Sequence, residues 1–122
     1  SGVTLVDTSV LLDVVHGDPT WGTWSSDALA RALDAGRCAI DAVIFAEAGV
    51  AYGTLEALRE DLQDLEIELE DLPWEAAFLA EKAFLAYRRA AGGAAKVSPL
   101  PDFFIGAHAA VSGHTLLTRD PR

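Results

Sequence analysis

Asp7, Glu47, Asp102 and Asp120 are the residues of this chain whose type and placement could do chemistry. Asp7 ends the apolar run Val3-Thr-Leu-Val6, which reads as a buried strand. Asp102 follows a Pro-rich loop and opens an apolar helix. Asp120 follows Thr115-Leu-Leu-Thr118, a second short strand. Glu47 lies between Phe45, Ala46, Ala48 and Val50 in an otherwise apolar helix, where an unpaired charge is costly. Open α/β sheets form their sites outside the carboxyl ends of the strands. Acids gathered there, with few bases between them, need a counter-charge, and a divalent metal is its simplest supplier.

Each acid also has a plain structural reading. Asp102 suits an N-cap, where helix amides and the dipole favour a carboxylate. Asp7 would equally cap a helix from Thr8, and Asp120 would sit in a turn before Pro121. The joint placement of the four favours the metal reading. Thr8, Ser9 and Thr118 add hydroxyls that could orient the carboxylates or hold water, and capping explains them equally well. Carboxylate, hydroxyl and water ligands suit Mg²⁺ or Mn²⁺. Zinc is not expected, since no His or Cys pair has its ligand spacing. His16, His108 and His114 are scattered, and His108, on the apolar last helix, reads as packed or surface rather than catalytic.

The elements that must position these residues read as strand, helix, helix, strand, helix, helix, strand, helix, helix, strand. Val3–Asp7 is the first strand, followed by a short helix over 8–15 that ends near Gly17-Asp-Pro19. Ser25-Ser-Asp27 offers N-caps for a helix through Ala35, with Gly36 beyond its end. Arg37–Ile40 is the second strand, and Asp41 caps a helix over 42–52. Thr54 caps the next helix, from Leu55 to about Leu65. Glu66-Ile-Glu-Leu-Glu70 alternates charge with apolar residues, as an edge strand with one wet face does. Pro73 precedes a helix from Trp74 to Ala91, and residues 91–101 are the longest loop signal. The last helix spans Asp102–Ser112 and closes at Gly113. This alternation predicts a single domain with a mainly parallel sheet in three α/β/α layers.

Composition narrows the class. At 122 residues and 51% hydrophobic content, the chain can bury a real core and is not disordered. No apolar run reaches the roughly 18 residues of a membrane span. The single cysteine, Cys38, excludes an internal disulfide framework, reads as core filler and fits a reducing cytoplasm. A net charge of −10 argues against a simple electrostatic nucleic-acid binder. The excess is local: nine acids and one base, Arg59, lie between Glu56 and Glu75, reading as a solvated face or a patch for a basic partner. Ser1-Gly2 reads as a cleavage scar or trimmed start, and a closing strand or tail is expected beyond Arg122.

Taken together, Val6-Asp7-Thr8-Ser9-Val-Leu-Leu-Asp13, Ala46-Glu47, Pro101-Asp102-Phe-Phe-Ile-Gly-Ala-His-Ala109 and Leu117-Thr118-Arg119-Asp120-Pro121 resemble the four motifs of PIN domains, most closely the VapC toxin subfamily. Their order and spacing cover nearly the whole chain. The resemblance implies a metal-dependent endoribonuclease from a toxin–antitoxin pair. It implies that Asp7 and Asp102 are the principal metal ligands, with Glu47 and Asp120 completing the site directly or through water. It also implies a homodimer and a cognate VapB-type antitoxin whose tail occupies the groove. The usual C-terminal strand after the fourth motif is lacking, which bears on edge closure and activity.

The expected chemistry is metal-assisted in-line hydrolysis of an RNA phosphodiester, single-stranded or structured, with no side-chain nucleophile. Arg88, Arg89, Lys96 and Arg119 are the candidate basic rim, with Ser9, Thr118 and Arg119 as supporting residues. Arg88-Arg89 reads equally as ordinary charge at a helix C-terminus. An antitoxin segment, basic and amphipathic, would cover the groove beside Trp21, Trp24 and the helix over 42–52. Those tryptophans would otherwise pack in the core or at a homodimer interface. Three other readings compete. One is a PIN nuclease of RNA processing. Another is a phosphoryl-transfer domain with an aspartyl nucleophile, opposed by Ser9 where a second Asp is wanted. The third is a non-catalytic module docking through the acidic run.

Overall fold

Short apolar strands buried on both faces pair most readily in parallel, because helices must then cover both sides of the sheet. The computed structural model describes residues 1–90 and 100–119, and it has this arrangement. Val3–Val6 (β1) and Arg37–Ile40 (β2) form the sheet's centre, with Leu5, Val6, Cys38, Ala39 and Ile40 all buried. Ile67–Leu69 (β3) pairs with β2, and Thr115–Leu117 (β4) pairs with β1. All pairings are parallel, in the order β3-β2-β1-β4. The mixed α/β expectation with a parallel sheet is met.

The helices are Thr8–His16 (α1), Gly22–Ala35 (α2), Ala42–Gly49 (α3), Leu55–Asp64 (α4), Trp74–Ala90 (α5) and Leu100–Ser112 (α6). Val10 and Leu11 of α1, Ile44 and Ala48 of α3, Leu58 and Leu62 of α4, and Ile105 and Ala109 of α6 join the strand residues in one core. None of the helices is long and apolar enough to cross a membrane.

Several boundaries differ from the sequence expectation, most of them for a local reason. Helix α2 begins at Gly22 rather than beyond Ser25. Asp18 supplies the upstream turn, accepting from Thr20 N and Trp21 N at 3.0 and 2.7 Å, and this frees Ser25 to enter the helix. Helix α3 stops at Gly49 rather than Tyr52, and Val50 is exposed. Helix α6 begins at Leu100, so Asp102 lies in its first turn rather than at its opening, and Pro101 is tolerated there because first-turn amides have no intrahelical partner. The predicted loop over 91–101 lies outside the described residues from 91 to 99. The edge strand is shorter than expected because Glu66 takes a left-handed conformation, φ 59°, in the turn after α4.

Candidate functional site

In a parallel sheet, a crevice opens where the connections leave two neighbouring strands in opposite directions. Here β1 leads through α1 and α2 to β2 on one side, while its other neighbour, β4, is reached last through α6. The crevice therefore lies at the carboxyl ends of β1 and β4. Asp7 and Thr118 are the residues that follow those ends. The ladder runs one bond past β1, from Asp7 N to Leu117 O at 2.9 Å.

The Asp7 carboxylate accepts three hydrogen bonds. Oδ1 accepts from Thr8 N at 2.8 Å, so Asp7 caps α1 as one sequence reading had it. Oδ2 accepts from Thr118 Oγ1 at 2.7 Å, across the crevice, and from Ser9 Oγ at 3.4 Å. Thr8 carries the chain of contacts onward, its Oγ1 donating to Glu47 Oε1 at 2.7 Å. Glu47 stands on α3, whose start is fixed by Asp41 accepting from Val43 N and Ile44 N, both at 3.0 Å. Capping and a role in the site are thus compatible readings of the same aspartate: the bond that starts α1 also orients the carboxylate.

Asp102 is half-buried in the first turn of α6, where it lines an apolar groove of about 470 Å³ with Phe103, Leu79 and Tyr87. Asp7, Glu47 and Asp102 do not bring one ligand atom each within 4.8 Å of one another. Asp120 and Lys96 lie outside the described residues.

Arg119 has a different role from a rim cation. It is anchored on Asp13, with Nε donating to Oδ2 at 2.8 Å and a terminal nitrogen to Oδ1 at 3.3 Å. Asp13 is only 3% exposed and also accepts from Ser25 Oγ at 2.7 Å. The guanidinium lies 5.2 Å from the Trp21 ring, which packs edge-on against Trp24 at 5.8 Å. The Arg119 anchor therefore joins β4's end to α1 and α2 and leaves both tryptophans partly exposed beside the crevice. Asp13 was visible in the first motif, but its burial came from the packing of α2. Arg88 and Arg89 are exposed in the last turn of α5, with Arg88 lying 5.7 Å over Phe84.

A second cluster was invisible in the sequence. His108 is wholly buried, as the packed reading expected, but it is not isolated. Its Nδ1 lies 2.8 Å from Asp41 Oδ2 and its Nε2 lies 2.8 Å from Glu70 Oε2. His114 Nε2 is 2.6 Å from that same oxygen. Burial alone would raise the Glu70 carboxyl, but the hydrogen bonds from His114 and His108 outweigh it and hold the group below the ordinary glutamate value. The sequence signal was slight: Asp41 follows one expected strand and Glu70 ends another. Cys38, buried in β2, has its thiol pushed up by burial and sits as core filler.

The family model of the PIN domain matches residues 4–122. The chain belongs to the PIN domain family. PIN domains are nucleases, and PIN nucleases use a divalent metal. The oxygen-only donors around Asp7 and Glu47 fit a hard cation of that kind. No curated protein sequence matches. Among solved structures, VapBC2 from Rickettsia felis bound to a promoter DNA fragment is similar at 16% identity and a TM-score of 0.68, covering 97% of this chain and 88% of that one. A toxin–antitoxin complex from Klebsiella pneumoniae is similar at 21% and 0.65, covering 96% and 86%. FitAcB from Neisseria gonorrhoeae is similar at 20% and 0.60, covering 96% and 87%. These likenesses are of fold, and all three extend over nearly the whole PIN domain.

Proposed function

We propose that this PIN domain is a metal-dependent endoribonuclease toxin of the VapC type, neutralised by a cognate VapB-type antitoxin. The observation that carries the reading is the bridged crevice in which Asp7 is bonded to Thr118 and, through Thr8, tied to Glu47. Asp7, Glu47, Asp102 and Asp120 form its acidic set, with Asp7 and Asp102 as the main metal ligands. Mg²⁺ or Mn²⁺ is the cation, since the donors are carboxylates and hydroxyls. When bound, the ion activates water and offsets phosphate charge.

The chain's own residues do the positioning. Thr118 and Thr8 N fix the two oxygens of Asp7 and so orient its carboxylate at the crevice. Thr8 sets the rotamer of Glu47, which can accept a proton from the attacking water. Arg88 and Arg89 form the exposed basic edge for RNA phosphates. The restraining partner is supported by the two neighbours described as toxin–antitoxin or VapBC complexes. Its basic segment would lie beside Trp21 and Trp24, with an Arg or Lys reaching the acids. A homodimer is part of the same reading.

The test is incubation of the chain with total RNA in Mg²⁺ or Mn²⁺, with the cut ends mapped. Divalent-dependent cleavage that EDTA stops and Asp7→Asn abolishes is expected. Equal cleavage by wild type and variant would refute the assignment.

A further inference from the structure

The cluster at Glu70 has a hydrogen-bond count that does not close with a neutral His108, which lies between two carboxylates. Asp41 Oδ2 faces His108 Nδ1 and requires a proton there. A neutral His108 then turns a bare lone pair on Nε2 toward Glu70 Oε2. His114 differs, since Ser1 Oγ, 2.7 Å from its Nδ1, can donate or accept, so this ring can turn either a proton or a lone pair on Nε2 toward the same Glu70 oxygen. Two imidazole Nε2 atoms and one carboxylate converge, each ring having an oxygen partner behind it.

We propose that Glu70, His108 and His114 form a second metal site, selective for Zn²⁺ and separate from the acidic crevice. The three ligand atoms already lie within 4.8 Å of one another. Tetrahedral zinc at about 2.0–2.1 Å from each donor separates ligand atoms by roughly 3.3 Å, so the 2.8 and 2.6 Å spacings from the two Nε2 atoms to Glu70 need only open by a fraction of an ångström. Asp41 supplies the carboxylate that orients a metal-bound histidine through its other nitrogen. It is itself buried and held by its cap bonds to α3. Two imidazoles and a carboxylate suit zinc, whereas Mg²⁺ prefers oxygen alone. Glu70, 31% exposed in its side chain, leaves a way in for the ion and for a water as fourth ligand.

The site shares no residue with the Asp7 crevice. It would clamp the end of β3, the middle of α6 and the turn before β4, with Asp41 tying in β2. Helix α6 carries Asp102, so the zinc holds the element that presents one of the crevice's acids.

The test uses the whole chain, stripped with EDTA and returned to buffer with excess Mg²⁺ to occupy the acidic crevice. Zinc is then titrated against a chromogenic chelator, and Co²⁺ replaces it for visible spectroscopy. Wild type and Asp7→Asn should each take up about one equivalent of Zn²⁺, give the intense bands of tetrahedral nitrogen-ligated Co²⁺ and melt at a higher temperature when loaded. His114→Ala should weaken zinc binding by more than roughly tenfold and lose those bands. Glu70→Gln should do the same, and it serves if His114→Ala does not fold. Zinc uptake that disappears in Asp7→Asn, or that survives in both His114→Ala and Glu70→Gln, would overturn the proposal, as would a wild type that binds no zinc.

Discussion

Asp7 is the residue on which stability and activity should separate most cleanly. In Asp7→Asn, the amide oxygen still accepts from Thr8 N, and the Ser9 and Thr118 hydroxyls can turn to accept from the new NH₂. Unfolding free energy should change by less than about 1 kcal/mol. RNA cleavage should fall by roughly a thousandfold or more, because the lost charge is what a cation needs. Parallel denaturation curves and cleavage rates check this, and a drop of several kcal/mol in stability would mean that Asp7 is chiefly structural. Tyr52 offers a test in the alkaline range. Burial and the 2.6 Å bond it donates to Asp61 push its phenol up to about 12. A raised pKa means that the contribution is whole below the unfolded tyrosine value near 10 and is lost as pH climbs through about 12. Ultraviolet titration should show one late tyrosine, absent in Tyr52→Phe. Asp7 and Glu47 were legible because strand ends and an odd charge in an apolar helix are local signals. Glu70, His108 and His114 were not, because their meeting depends on which way α6 crosses the sheet.

Element boundaries were legible wherever one residue fixed them alone. Strand β2 matches its expected bounds, and Asp41 and Thr54 cap the helices assigned to them. The start of α2 was misread because Asp18, not the Ser25 group, supplies the turn, and Ser25 was free to serve Asp13 instead. No property of the local sequence distinguishes a serine that caps from one that packs. Asp41 does more than Thr54, and the difference can be measured. Thr54 gives one exposed cap bond, to Ala57 N at 3.1 Å. Thr54→Ala should cost about 1 kcal/mol. Asp41→Ala removes a cap and also leaves His108 Nδ1 buried without its acceptor. In EDTA it should cost roughly 2–4 kcal/mol, the sum of a cap and an unsatisfied buried donor. Urea melts of the two variants decide it, and equal losses would mean that the Asp41–His108 bond adds nothing.

At the scale of the whole molecule, the parallel order β3-β2-β1-β4 determines what faces what. It opens the crevice between β1 and β4 and leaves β3 at the far edge, where Glu66, Glu68 and Glu70 stand. Acidic side chains there discourage another strand from adding to the sheet. They also belong to the acidic run between Glu56 and Glu75 that accounts for much of the −10 net charge. This edge bears out the solvated-face reading of the sequence: most acids of the run are exposed, including Glu68, which pairs with Arg37 at 2.6 Å. Such a molecule repels RNA at long range, so under the proposed function an RNA substrate would enter where a cation and the Arg88–Arg89 edge lower the potential. The basic antitoxin segment of the proposed function would meet the opposite situation, being drawn in by the field and then competing with the cation for the same carboxylates. Its association rate with this chain should fall by roughly tenfold or more as salt rises, while dissociation changes little. Saturating Mg²⁺ should slow inhibition further, because each antitoxin Arg or Lys at the crevice then has to displace an ion. Stopped-flow mixing with the cognate antitoxin, across salt and with Mg²⁺ present or absent, measures both effects. A rate indifferent to salt would show that apolar contact at Trp21 and Trp24 governs the encounter. Inhibition indifferent to Mg²⁺ would place the antitoxin's basic residues somewhere other than on the acids.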